Sequence, residues 1–85
     1  MINNKDLSEQ YNVFSNNIKY FRKKRRLTQE QLAEFCDLST SYIKQIESGK
    51  EFKNVTLTVI LKMSKVLNVP VNKLFILQEK EKVIN

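Results

Sequence analysis

The chain has 85 residues, with 15 Lys plus Arg against nine Asp plus Glu, a net charge of +6, one Cys, one Gly, one Pro and no His. A chain of this size buries roughly 60% of its unfolded surface, enough for one small core and too little for a second. A lone thiol with no imidazole offers no internal disulfide, no plausible metal or haem ligand set and no His base for a nucleophile, so neither a cofactor nor an enzymatic activity is expected.

With so few breakers and mostly helical apolar spacing, the chain reads as all-α, a compact bundle of about five short helices. The first helix is expected from Asp6 or Ser8, with Asp6-Leu7-Ser8-Glu9 as a capping box, to about Arg25, with Tyr11, Phe14, Ile18 and Phe21 on one face. Six of the eight residues from Lys19 to Arg26 are Lys or Arg, which suits a helix carboxyl terminus. Thr28-Gln29-Glu30-Gln31 is a second capping box and opens a short helix ending near Cys36. After a break at Asp37-Leu38, Ser39 can cap a third helix that ends at Gly49, the residue that takes a left-handed cap without penalty.

The link Glu51-Phe52-Lys53-Asn54-Val55 leads to Thr56, which caps a fourth helix through Leu67. Leu57, Val59, Ile60, Leu61, Met63, Val66 and Leu67 leave only a narrow polar stripe, so this helix is expected to be covered on more than one side and to form the centre of the core. Pro70 suits the opening turn of a fifth, short helix with Val71, Leu74 and Phe75, ahead of a charged tail from Gln78 to Asn85.

At 100° per residue the third helix divides into two sides. Tyr42, Ile43 and Ile46 fall on one, and Thr40, Ser41, Lys44, Gln45 and Ser48 on the other, which carries no carboxylate. Hydroxyls, an amide and an ammonium match what base edges in a major groove offer. Two capped helices with a tight break between them, the second apolar inside and polar outside, form the helix-turn-helix pattern. Gln29 and Ser39 then stand at helix amino termini, where free amides favour a phosphate.

The stretch Phe21-Arg22-Lys23-Lys24-Arg25-Arg26-Leu27-Thr28-Gln29-Glu30-Gln31-Leu32-Ala33, followed by Leu38-Ser39-Thr40-Ser41-Tyr42-Ile43-Lys44-Gln45-Ile46-Glu47-Ser48-Gly49-Lys50, closely resembles the Cro/CI-type, lambda-repressor-like helix-turn-helix family of bacterial and phage regulators. The resemblance continues from Leu57 to Phe75. It implies base contacts by Thr40, Ser41, Lys44 and Gln45, with Ser39 between base and backbone. It also implies phosphate contacts by Gln29 and by the loop after the third helix, at Lys53 and Asn54, with Ser48 and Lys50 beside them. Ala33 matches a small residue that lets the second and third helices approach, and Arg22 and Glu47 match an ion pair between the first and third. Arg26 and Asp37 stand where the family commonly has Gly, and Arg tolerates a left-handed backbone poorly.

The expected function is therefore a sequence-specific regulator that binds double-stranded DNA as a homodimer, with an interface at Val69, Leu74, Phe75 and Leu77. The whole chain is expected to be one helix-turn-helix unit, with its core over about 10–77 and its ends at 1–9 and 78–85 flexible or engaged in dimerisation. No small-molecule ligand is expected. A competing reading is a protein-interaction module, such as an antitoxin or co-activator, whose main partner is a toxin or another regulator. The longest apolar run, Leu74-Phe75-Ile76-Leu77, is far short of a membrane span, and Met1-Ile2-Asn3-Asn4-Lys5 holds no signal-peptide core, so a cytoplasmic location without membrane contact is expected.

Overall fold

The computed structural model describes residues 1–49 and 55–78. Among them are four α-helices, α1 (Ser8–Lys24), α2 (Gln29–Cys36), α3 (Thr40–Ser48) and α4 (Leu57–Leu67), with a 3-10 turn at Asn4–Leu7 ahead of α1 and a closing 3-10 segment at Val71–Phe75. The fifth helix is thus a 3-10 segment. Pro70 occupies its N-cap, and its carbonyl accepts the Lys73 N–H at 3.0 Å.

Side-chain chemistry sets each helix start. Thr28 Oγ1 accepts the Gln31 N–H while Gln31 Oε1 accepts the Thr28 N–H, at 3.0 and 2.8 Å. Ser39 Oγ caps Tyr42 N–H and Thr56 Oγ1 caps Val59 N–H. At the amino terminus the reciprocal box lies three residues earlier than expected, between Asn3 and Asp6. Two boxes that overlap by one residue compete for Asp6, and Asn3 wins because the 3-10 turn leaves Leu7, with no side chain to donate or accept, at the start of α1.

Three helix ends share one geometry. Leu27 N–H reaches back to Arg22 carbonyl, Leu38 N–H to Ala33 carbonyl and Val69 N–H to Ser64 carbonyl, at 3.1, 2.8 and 3.1 Å. In each case the preceding residue is left-handed, at φ 59° for Arg26, 59° for Asp37 and 60° for Asn68. This is the Schellman closure, with a half-buried apolar residue following each left-handed one. Asp and Asn tolerate that backbone, whereas Arg26 carries the strain expected at this position. Arg26→Gly is expected to stabilise the fold by about 1 kcal/mol, the relief of strain exceeding the added freedom of the unfolded chain. Thermal unfolding should register this as a rise of roughly 4–8 °C. A lower midpoint would contradict it.

The core gathers Phe14, Ile18 and Phe21 of α1, Leu32, Ala33 and Cys36 of α2, Ile43 and Ile46 of α3, Val59, Met63 and Leu67 of α4, and Leu74. Burial pushes the Cys36 thiol pKa up, against a smaller opposing pull from Lys62, so the thiol stays protonated and acts as an apolar filler. The α4 helix departs from expectation. Leu57 is 67% exposed and Leu61 46% exposed, so within the protomer its second apolar face is open to water. Its covered side consists of the buried Val59, Met63 and Leu67 with Ile60 and Val66 partly buried beside them, packed on α2, α1 and the closing segment.

Candidate nucleic-acid interface

The α3 helix is anchored from its inner side. Ile43 and Ile46 are buried in the core, where α3 packs on α2 and α1, and Tyr42 is half-buried against the same core, where burial raises its phenol pKa. Ala33 is 2% exposed on the face of α2 toward the core. A larger side chain there would push the two helices apart.

Glu47, on the last turn of α3, is the polar anchor. Its carboxylate receives Arg22 Nε at 2.6 Å and Arg22 Nη2 at 3.0 Å, a two-pronged pair with side chains only 10% and 2% exposed. Arg22 Nη1 donates to the Leu27 carbonyl at 2.8 Å, so the same guanidinium also fixes the end of α1. Gln29 Nε2 donates to Glu47 Oε1 at 3.0 Å, which ties the first residue of α2 to α3. Of the two protons on that amide one is thereby committed, and the other remains for a phosphate at the α2 amino terminus. Thr28 takes the amides of Gln31 and Leu32, leaving those of Gln29 and Glu30 as the outermost donors.

The outer side of α3 presents Ser41, Lys44, Gln45 and Ser48 to solvent, with Thr40 half-buried at its start. No carboxylate joins them, because the only acid of α3 is turned inward and neutralised. Ser39 is exposed and spends its acceptor on the cap, keeping a hydroxyl proton to donate. The Ser48 hydroxyl donates to the Gln45 carbonyl at 2.9 Å, so a phosphate would have to draw that proton away. Lys50, Lys53 and Asn54 lie outside the described residues.

The basic end of α1 divides between two sides. Arg22 turns toward α3, whereas Lys19 and Lys23 flank a groove of about 420 Å³ lined also by Asn16, Asn17, Tyr20, Leu77 and Gln78. Lys24 rests over the Tyr20 ring, 5.4 Å from its centre. These lysines contribute to the general field, while the α3 surface carries Lys44.

The expected association surface needs correction. Leu74 is fully buried in the protomer's own core and has no surface to offer, because the tight turn of the 3-10 segment directs it inward toward α1. Val69 is half-buried, and Phe75 is 46% and Leu77 73% exposed. Leu57 and Leu61, expected in the core, join them, as does Ile76 at 52% exposure. Ile60, beside Leu57 and Leu61 on the helical wheel, lines one groove together with Phe14 and Phe75, so the apolar strip runs from α4 to the closing segment. The signal was present in the sequence: a helix apolar on nearly every side, in a chain too short to cover it all.

Asn17 gives no such signal in the sequence. It is 2% exposed in the middle of α1, and its Nδ2 faces the carbonyls of Lys73, Leu74 and Ile76 at 3.2, 3.0 and 2.9 Å. A single Asn among helical polar residues carries no local sign of partners 56 to 59 positions away.

The helix-turn-helix family model matches residues 18–74. Over 62 residues, 73% of this chain and 71% of the other, the sequence is 37% identical to Control protein C.SmaI of Serratia marcescens. Its fold is similar to that of the restriction-modification controller protein C.AhdI from Aeromonas hydrophila, with a TM-score of 0.71 and 31% identity over 79% of this chain and 98% of that one. It is also similar to the hypothetical transcription factor NHTF from Neisseria, with a TM-score of 0.73 and 30% identity over 79% and 73% of the two chains. A family match across α2, the turn and α3, together with an α3 held from its inner side and donor-rich outside, fits one class: the chain belongs to the helix-turn-helix family of DNA-binding transcriptional regulators.

Proposed function

We propose that the chain is a non-enzymatic, cytoplasmic regulator of the restriction–modification controller kind, a single DNA-binding unit that acts as a homodimer. Two copies of α3 enter successive major grooves of a pseudo-palindromic operator, about 34 Å apart. Ser39, Thr40, Ser41, Lys44 and Gln45 meet base edges. Gln29 and Ser48, with Lys50, Lys53 and Asn54, meet phosphates. The observation that carries the reading is the outer face of α3, exposed and free of carboxylates while the helix's single acid is buried against Arg22. No helix among the described residues is long and apolar enough to cross a membrane.

The second copy seats on the strip of Leu57, Leu61, Phe75, Ile76 and Leu77. Exposed apolar side chains on α4 and the closing segment, which Ile60 and Phe75 join in one groove, suit association better than solvation on so small a surface. A toxin or other protein partner is a second reading, favoured by Phe35, 60% exposed on α2.

Selection of bound duplexes from a random pool, followed by titration at several salt concentrations, tests the function. One enriched motif with two half-sites is expected, and failure to enrich any motif would overturn the proposal. With that motif in hand, Gln45→Ala should relax preference at one or two base pairs of each half-site, by roughly five- to hundred-fold per specific pair lost. Gln29→Ala should weaken all duplexes alike and leave the salt dependence unchanged, because the carboxamide carries no charge. Uniform losses from both changes would contradict the roles assigned to them.

A further inference from the structure

We propose that Asn17 is a positioning residue for self-association: from the middle of α1 it sets the path of residues 73–78, and so the shape of the strip that meets a second copy. The inference rests on the dimer reading above.

The closing 3-10 segment ends at Phe75, and Ile76 is extended, at φ −114° and ψ 129°. The last carbonyls of a helical segment have no partner within it and need one from outside. Asn17 meets that need with one amide group directed at three carbonyls, those of Lys73, Leu74 and Ile76, within 3.2 Å. Two of the three, Lys73 and Ile76, also accept from Gln78 Nε2, at 3.1 and 2.7 Å, so the turn closes on itself around the same acceptors.

Core packing holds the segment only as far as residue 75, and beyond it Gln78 ties the turn to itself. Leu74 is buried, and the Phe75 ring stacks on Phe14 with centroids 5.2 Å apart. Beyond that point Ile76 and Leu77 face water, 52% and 73% exposed, and cannot fix their own backbone by packing. The hydrogen bond from Asn17 to the Ile76 carbonyl is what carries order from the core helix into the part of the strip that a partner meets. Without it, residues 76–78 would be partly unordered before association, and ordering them would weaken the dimer by roughly ten- to hundred-fold.

The residue type fits the task. A carboxamide offers two protons and is short enough to remain within α1's packing. Asp would present a carboxylate to three carbonyl oxygens, and Ala would present nothing.

The test compares the full-length protein with its Asn17→Ala and Asn17→Asp variants. Sedimentation gives the dimer dissociation constant. Titration of two duplexes gives DNA affinity: the duplex enriched from a random pool, and the same duplex with one half-site scrambled. For Asn17→Ala, dimerisation is expected to weaken roughly ten- to hundred-fold, and the two-half-site duplex to lose affinity with it. Binding to the single half-site should stay within about twofold, because α3 and its anchors are untouched. Asn17→Asp should be at least as weak a dimer as Asn17→Ala.

A folded Asn17→Ala that dimerises as tightly as the parent overturns the proposal. So does a parallel loss on the single half-site, since Asn17 would then support the whole fold. If Asn17→Ala does not fold, Asn17→Ser, which keeps one hydroxyl donor, is read by the same criteria, and failure of both to fold also overturns it. A parent protein that is monomeric both free and on the two-half-site duplex refutes the dimer reading itself, and is seen before any variant is compared.

Discussion

Glu47→Ala is expected to lower the stability of the fold by about 3–5 kcal/mol, seen in urea titration as a fall in midpoint with little change in slope. The size follows from what is left behind. The Arg22 side chain, 10% exposed, would keep its charge and lose both hydrogen bonds to carboxylate oxygens in a site largely closed to solvent. Gln29 would lose its partner across the α2–α3 junction at the same time. A domain of this size has only about 5–15 kcal/mol in total, so the variant should sit near the edge of folding at 37 °C.

Removing both charges distinguishes an indispensable pair from a merely matched one. Arg22→Met with Glu47→Leu should recover most of the loss, because apolar groups of similar volume bring no charge to be desolvated. It would still lack the bond from Arg22 to the Leu27 carbonyl, which closes α1, and the anchor for Gln29. The double variant is therefore expected to fold well and to bind DNA more weakly than its stability would suggest. A Glu47→Ala protein within about 1 kcal/mol of the parent would show that the pair behaves as an exposed one.

The second large effect concerns association. Leu57→Glu combined with Leu61→Glu is expected to weaken the dimer by more than about a hundredfold and to abolish tight binding to a two-half-site duplex, since four carboxylates would converge across the two-fold axis. The protomer itself should still fold. Leu57 lies largely in water and Leu61 nearly half so, at 67% and 46% exposure, so the two changes together should cost the protomer no more than about 1–2 kcal/mol. Position 57 opens α4, where a negative charge is favoured, and a carboxylate at position 61 would face Lys65 four residues on. Sedimentation and urea titration together check both halves of the expectation. A dimer that persists would remove the α4 strip from the interface, and an unfolded protomer would return Leu57 and Leu61 to the core.

The parts of this fold that are legible in the sequence are those decided within a few residues. Thr28 with Gln31, Ser39 and Thr56 each satisfy backbone groups in their own neighbourhood, Gly49 takes the left-handed backbone that ends α3, and the structure places every one at the helix boundary expected for it. The division of α3 into an inner and an outer side is local in the same sense, since it depends only on helical geometry. What could not be read depends on distant parts of the chain. Whether Leu57 and Leu61 are covered turns on which side of α4 the other helices approach, and Leu74 is buried because a 3-10 segment, unlike an α-helix, directs it at α1. Asn17 is the extreme case, with a role defined wholly by backbone oxygens near the other end of the chain. The candidate site was more legible than the association surface because a recognition helix carries its pattern within nine residues.

The buried anchoring of α3 separates grammar from vocabulary. Ile43, Ile46 and Glu47 hold the helix in place, and none of them shares a side with Ser41, Lys44 or Gln45. Those outward positions can be rewritten together without repacking anything beneath them, provided position 39 keeps a capping side chain. A scaffold built this way can acquire a new DNA preference by exchange of a few surface residues, leaving the exposed apolar residues of α4 and the closing segment, proposed above to meet a second copy, unaltered. DNA preference and self-recognition can then diverge independently among descendants of one such chain.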